Sequence, residues 1–137
     1  MNRSAIRELT FKLIYSLEIQ KQENLQEQIE LYIEANEIKD EKAIKYIKET
    51  LNGINENQED IINLIKKNLK AGWEIQRVSK IDISLLKLAI YEIKYTDIPY
   101  KVAVNEVVEL AKKYGEETSK NFVNGILASI IKELESN

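Results

Sequence analysis

Residues 97–115 read DIPYKVAVNEVVELAKKYG, and residues 119–127 read SKNFVNGIL. At helical spacing, the apolar side chains of the first stretch fall on one face and its polar side chains on the other. The apolar set is Ala103, Val104, Val107, Val108, Leu110, Ala111 and Tyr114. The stretch therefore predicts an amphipathic helix that Pro99 opens and that Gly115 ends as a left-handed cap.

The same helical periodicity extends over the rest of the chain, and no segment alternates convincingly over the length of a strand. This pattern predicts an all-α fold of about seven helices, with a break at residues 71–73. The other six helices are expected from Ser4 to about Gln20, Asn24 to near Asn36, Asp40 to the NGIN run at 52–55, about Asn57 to Leu69, Ser79 to Tyr95, and Thr118 or Ser119 onward.

The composition is that of a globular protein in the cytoplasm. The chain has 137 residues, of which 44% are hydrophobic and 31% charged, and this indicates one domain with a buried core. No apolar run approaches the roughly 18 residues that a membrane span needs. The first residues, MNRSAIREL, do not resemble a secretory signal, and the absence of cysteine is compatible with a reducing compartment.

The residue types that most enzymes use are missing. The chain has no histidine and no cysteine, which removes the commonest general base, the thiolate nucleophile and the commonest zinc ligands. Its four glycines are scattered, so no phosphate-binding loop is present. We therefore expect a protein without catalytic activity, cofactor or bound metal.

The charge is uneven along the chain. The net charge is −3, which argues against a nucleic-acid partner, but residues 22–60 alone hold eleven acidic and four basic side chains. Two of the three arginines, Arg3 and Arg7, lie at the mildly basic N-terminus. Arginine grips phosphate and stacks on bases, so their position hints at RNA, although a solvated helix start explains it as well.

Two helix beginnings combine cations with aromatic rings. Arg3, Arg7, Phe11 and Tyr15 form an i, i+4 row on the first helix, and this combination is typical of single-stranded nucleic-acid binding. The alternative is packing against neighbouring helices, which we favour for Phe11 and leave open for Tyr15. Lys120, Asn121 and Phe122 begin the last helix, where the residues alone favour a core role for Phe122.

Several other polar or aromatic residues have simpler explanations. Asp82, three residues after Ser79, fits a capping box. Trp73 and Arg77 could form an exposed recognition pair, but a tryptophan that closes a helical corner is more common. Hydrogen bonds between helices account for the polar residues beside apolar faces, namely Glu92, Asn105, Glu106 and Asn124.

Three blocks of the sequence closely resemble the NusB family of bacterial transcription antitermination factors. They are RSAIRELTFKLIYSLEIQ at 3–20, WEIQRVSKIDISLLKLAIYEI at 73–93, and IPYKVAVNEVVELAKKYG at 98–115 with FVNGIL at 122–127. The resemblance covers almost the whole chain. It implies one helical RNA-binding domain over 1–137, with an N-terminal subdomain of about 1–70 and a C-terminal subdomain of about 71–137.

The resemblance also implies partners and site residues. Family members bind the single-stranded boxA element of nascent RNA together with NusE, a ribosomal small-subunit protein, and act indirectly on the RNA polymerase elongation complex. Carried over by position, the RNA contacts are Arg3, Arg7, Tyr15, Lys120, Asn121 and Phe122, and the NusE-facing residues are Gln76, Arg77 and Asp82.

Because some relatives self-associate, the sequence is compatible with both a monomer and a homodimer, and with RNA binding either alone or only together with NusE. The alternative function is a helical scaffold that binds only proteins and presents the acidic segment at 22–60 as its main surface.

Overall fold

The residues that the structure describes form seven α-helices. The computed structural model describes residues 1–20 and 24–136, and within these ranges it contains no β-strand. The all-α prediction is therefore confirmed. The helices are α1 (Arg3–Ile19), α2 (Leu25–Ala35), α3 (Glu41–Glu56), α4 (Gln58–Asn68), α5 (Lys80–Tyr95), α6 (Tyr100–Tyr114) and α7 (Ser119–Glu135), and a 3₁₀ turn at Ile75–Arg77 precedes α5.

Polar side chains cap the helices at three of the predicted starting points. The side chain of Asn24 accepts a hydrogen bond from the backbone N–H of Glu27 at 3.0 Å. The carboxylate of Asp40 accepts from two backbone N–H groups of α3, and the hydroxyl of Ser79 accepts from the N–H of Asp82 at 3.1 Å. Each bond satisfies a backbone donor that has no partner within its helix.

Three predicted helix ends were wrong in detail. α1 is capped by Asn2, whose side chain accepts from the N–H of Ala5 at 2.8 Å, and not by Ser4. Ser4 instead donates its hydroxyl to Glu106 on α6 at 2.6 Å. Gly115 does end α6, but its φ of −88° is not left-handed.

The NGIN run does not end α3, which continues to Glu56. Gly53 lies inside the helix because α3 packs closely on α5 there. A Cβ atom at Gly53 would lie 2.1 Å from a ring carbon of Tyr91. This glycine therefore permits a helix contact and does not mark a turn.

α5 is the central helix of the fold. It packs against α1, α3, α4, α6 and α7, and every residue from 82 to 90 is buried. A helix that is covered on all sides carries apolar residues around its whole circumference, as the run ISLLKLAI at 83–90 does. The other helices are held in place by this shared contact.

Buried side chains from all seven helices belong to one hydrophobic cluster. The cluster includes Ile29 and Ile33 of α2 as well as Leu127 and Ile130 of α7. The division into subdomains of about 1–70 and 71–137 stays a prediction. Within the described ranges, no helix combines the length and the apolar composition that crossing a bilayer would require.

Candidate nucleic-acid interface

The two arginines of α1 lie in different environments. Arg3 is exposed, whereas only 2% of Arg7 is accessible to solvent. The Nε atom of Arg7 lies 3.0 Å from both carboxylate oxygens of Glu92, and its Nη1 lies 2.9 Å from Glu106. Arg7 therefore already has two carboxylate partners within the protein, and its predicted contact with phosphate stays a prediction.

Arg7 belongs to a buried polar network that joins four helices. Glu92 on α5 is fully buried, and it also accepts a hydrogen bond from the hydroxyl of Tyr46 on α3. Burial opposes the charge of Arg7, but the Glu92 carboxylate raises its pKa above the ordinary value. Burial and the same carboxylate raise the pKa of Tyr46, so the tyrosine stays neutral. The prediction that Glu92 and Glu106 bond between helices is confirmed.

The aromatic side chains of α1 lie partly in the core and partly at the surface. Phe11 is 2% exposed, which confirms its core role. Its ring stacks on Tyr15 with centroids 6.3 Å apart, and it contacts the ring of Tyr114 at 5.3 Å. Tyr15 is only half-buried, so part of its ring can still reach a ligand.

Two lysines flank the ring of Tyr114 at the end of α6. The Nζ atoms of Lys12 and Lys113 lie 5.7 and 5.4 Å from its centroid. Lys113 also bonds Glu8 at 2.7 Å, and the Tyr114 hydroxyl donates to the same carboxylate. These two bonds lower the pKa of Glu8. This cluster was not predicted from the sequence, although the KKY run at 112–114 and the FK pair at 11–12 were the available signal.

The start of α7 presents its polar residues to solvent. Ser119 is buried, and its hydroxyl accepts from the N–H of Glu116 at 3.0 Å. The two residues after it, Lys120 and Asn121, are exposed, and Phe122 is half-buried. The ring of Phe122 stacks on Trp73 with centroids 6.1 Å apart and planes 18° apart.

The end of α6 lies between the aromatic residues of α1 and the start of α7. Tyr114 contacts Phe11 on α1, and the chain then turns through residues 115–118 into the start of α7. Phe11 thus contacts both the half-exposed Tyr15 on α1 and Tyr114, which precedes the segment that leads to Lys120. Arg3 lies three turns before Tyr15, at a cavity of about 540 Å³ that Lys42 and Lys45 also line.

The residues predicted to face a protein partner also differ in exposure. Gln76 and Arg77 are exposed in the 3₁₀ turn. Asp82 is only 8% exposed, and in the described part of the chain its Oδ1 atom has no hydrogen-bond partner. Burial raises the pKa of Asp82, and the hydroxyls of Ser119 and Ser79 only partly offset that effect. Its carboxylate therefore faces the starts of α5 and α7 more than it faces solvent.

The fold defines a small all-helical protein in which the starts of α1 and α7 carry basic residues close to aromatic rings. The model of the NusB family matches residues 4–132. The transcription antitermination protein NusB of Acetivibrio thermocellus is 47% identical over 133 residues, which cover 96% of this chain and 90% of that protein. The chain belongs to the NusB family.

Solved structures agree with this assignment. NusB of T. maritima is 37% identical and has a TM-score of 0.88, with 97% of this chain and 92% of that chain covered. A second structure contains the antitermination factors NusB and NusE in complex with double-stranded RNA. It gives a TM-score of 0.85 at 27% identity and covers 96% of both chains.

Proposed function

We propose that this protein is a transcription antitermination factor of the cytoplasm. It binds single-stranded boxA RNA together with NusE and helps RNA polymerase to read through terminators, notably in ribosomal RNA operons. Membership in the NusB family supports this role, as does the solved complex of a NusB relative with NusE and RNA. We assign no catalytic step to the protein.

One observation carries the proposal for the RNA site. The start of α7 exposes Lys120 and Asn121 beside the half-exposed ring of Phe122. Cations neutralise phosphates, aromatic rings stack unpaired bases, and amides bond to base edges. Lys120 thus binds phosphate, Phe122 stacks a base, and Asn121 hydrogen-bonds to a base edge.

α1 extends the same site. Tyr15 supplies a second ring, and Arg3 a second phosphate contact near the start of the helix. Lys12 and Lys113 add positive charge between them, beside Tyr114. Arg7 is instead a positioning residue, since its bonds to Glu92 and Glu106 hold α1 against α5 and α6.

The NusE contact is proposed for the exposed 3₁₀ turn that carries Gln76 and Arg77. Asp82 lies one turn into the helix that follows, and its buried carboxylate positions the starts of α5 and α7 rather than projecting to the partner. The surface for NusE would then adjoin the start of α7, so that RNA and NusE share a boundary on this protein.

The experiment is a titration of labelled boxA RNA and a scrambled RNA of equal length, each with and without purified NusE. We expect tighter binding of boxA RNA, and a stronger preference when NusE is present. Equal binding of both RNAs would refute the recognition of boxA, and binding of neither would refute the RNA-binding function. Either result would favour the protein scaffold with its acidic surface at 22–60.

A pair of double variants tests the phosphate contacts. Each phosphate contact to a single strand contributes about −0.7 to the slope of log affinity against log salt. Arg3→Ala with Lys120→Ala should therefore weaken binding and make the slope shallower by about 1.4. The matched control is Lys66→Ala with Lys132→Ala, where Lys132 lies about 18 Å from Lys120 along α7. A control that lost as much affinity as the test variant would show that the effect is only one of net charge.

A further inference from the structure

Trp73 is a large aromatic side chain that is exposed to solvent. Its exposed fraction is 56%, although it lies against the half-buried Phe122. The expectation that it closes a helical corner accounts for the contact with Phe122 but not for this exposure. A ring that packs on one side and is mostly accessible elsewhere has a face available to a ligand.

A cavity of about 480 Å³ adjoins the two rings. Its lining is Asn68, Lys70, Trp73, Asn121, Phe122, Gly125 and Ile126, and it contains no acidic residue. Lys70 is exposed and forms no ion pair with any residue in the described ranges. Glu74 follows Trp73 in the chain but does not line the cavity.

The α7 side of this cavity is open at Gly125. A Cβ atom there would meet no heavy atom within 4 Å. Gly125 lies one turn after Asn121 on the same face of α7, so the missing side chain leaves room directly beside the residue proposed to bond a base. The site therefore combines two stacked rings, an amide, a lysine that pairs with no described residue, and empty space.

We propose that this cavity holds one unpaired base of the bound RNA, which stacks on Trp73, with Lys70 at the flanking phosphate. The proposal deepens the function proposed above and rests on it, because it adds a base site beside Phe122. Trp73 and Lys70 thus extend the RNA path away from α1, past the start of α7.

The charge of the lining favours nucleic acid over a protein segment. The centre of a protein interface is usually depleted of lysine, whereas a single-strand site combines aromatic rings with a cationic path for the backbone. Here the rings and the amide face a cavity whose only charged lining residue is Lys70. A protein occupant such as NusE is an outcome that the test distinguishes.

Trp73 is the only tryptophan in the sequence, so the intrinsic tryptophan fluorescence of the full-length protein reports on this site alone. Titration with boxA RNA should quench the emission, since a stacked base quenches indole. RNAs with single abasic positions keep the phosphates and remove one base at a time. One abasic position should abolish the quenching while most of the binding, followed in parallel by the anisotropy of labelled RNA, remains.

Two pairs of variants test the same site by affinity. Trp73→Leu should weaken RNA binding by about 5- to 150-fold, the range for loss of a base–aromatic stack, and Trp73→Phe should recover most of that loss. Gly125→Leu should fill the cavity and weaken binding, whereas Gly125→Ala should change little. A Cβ atom at Gly125 meets no heavy atom within 4 Å, so Gly125→Ala should fold as the parent protein does. Circular dichroism checks that Gly125→Leu is folded before its RNA affinity is compared.

The outcomes separate this proposal from the function on which it rests. If RNA binds but Trp73→Leu and Gly125→Leu retain full affinity, the base site is refuted and the RNA-binding function stands. If no RNA binds even with NusE, both are refuted. If NusE alone changes the emission of Trp73, and Trp73→Leu weakens only the binding of NusE, the cavity is a protein site and our assignment is wrong.

Discussion

The start of α1 and the start of α7 both carry a basic residue near an aromatic ring, but the basic side chain is buried on α1 and exposed on α7. On α1 the guanidinium of Arg7 is buried and bonded to two carboxylates. On α7 the ammonium of Lys120 is exposed and forms no ion pair with a described residue. A basic residue near an aromatic ring is thus part of the core at one helix start and part of the surface at the other.

The difference comes from the helices packed opposite. Arg7 faces Glu92 on α5 and Glu106 on α6, and these carboxylates make burial of the guanidinium tolerable. Lys120 faces no such partner among the described residues. Whether a cationic side chain is buried or exposed is therefore decided by residues far away in the sequence. Substitutions at both helix starts can test this difference.

The largest expected effect is on stability, at Arg7. Arg7→Ala should lower the free energy of unfolding by about 3–5 kcal/mol, because it removes the ion-pair partner of the buried Glu92 carboxylate. Arg3→Ala is the matched control, and its exposed position should limit the change to about 0.5 kcal/mol. Urea denaturation of both variants measures the difference.

The RNA affinities of the same two variants test whether Arg3 and Arg7 have different roles. Arg3→Ala should weaken RNA binding and leave folding unchanged, whereas Arg7→Ala should affect RNA only through loss of folded protein. If Arg7→Ala were as stable as the parent protein and yet bound RNA poorly, Arg7 would be a direct phosphate contact and its assignment as a positioning residue would be wrong.

Substituting two helical glycines with alanine should give the next largest changes in stability. Gly53→Ala places a Cβ 2.1 Å from the ring of Tyr91 at the closed contact of α3 with α5, and we expect a loss of about 1–3 kcal/mol of stability. Gly125→Ala adds its Cβ to open space on α7, where alanine should stabilise the helix by up to about 1 kcal/mol.

Thermal unfolding of the two glycine variants measures both changes. Opposite signs would confirm that the surface at α7 is open while the contact at α3 is closed. A Gly53→Ala protein at least as stable as the parent would show instead that Tyr91, which is half-buried, moves aside without cost.

Periodicity predicted the helices because most of them bury one face, and the apolar run of the fully covered α5 was long enough to predict a helix as well. Asn24, Asp40 and Ser79 marked three starts because capping is local. Other features depended on distant contacts. The NGIN run contains turn-forming residues, but the ring of Tyr91 explains its glycine within α3. The burial of Arg7 required knowing that Glu92 lies opposite it, 85 residues further along the chain. The cluster around Tyr114 likewise joins α1 to α6.

The smallest expected effect on stability is that of substituting Glu8, a carboxylate within the proposed RNA-binding surface. Its bonds to Lys113 and Tyr114 lower its pKa in the folded protein. A lowered pKa contributes stability above the unfolded value of about 4.3, and this contribution is lost as the pH falls through the folded value. Glu8→Gln should therefore lose less stability than the parent protein when the pH falls below about 4.3.

At neutral pH, Glu8→Gln should lower the stability of the protein but raise its affinity for RNA. Glu8→Gln removes the ion-pair partner of Lys113, which slightly weakens the contact of α1 with α6, but it also removes a negative charge beside Lys12 and Lys113. We expect slightly lower stability together with tighter RNA binding. The control is Glu34→Gln on α2, an exposed carboxylate outside the proposed surface, which should leave RNA binding unchanged. Weaker RNA binding by Glu8→Gln would mean that the lysines beside Tyr114 do not face the RNA.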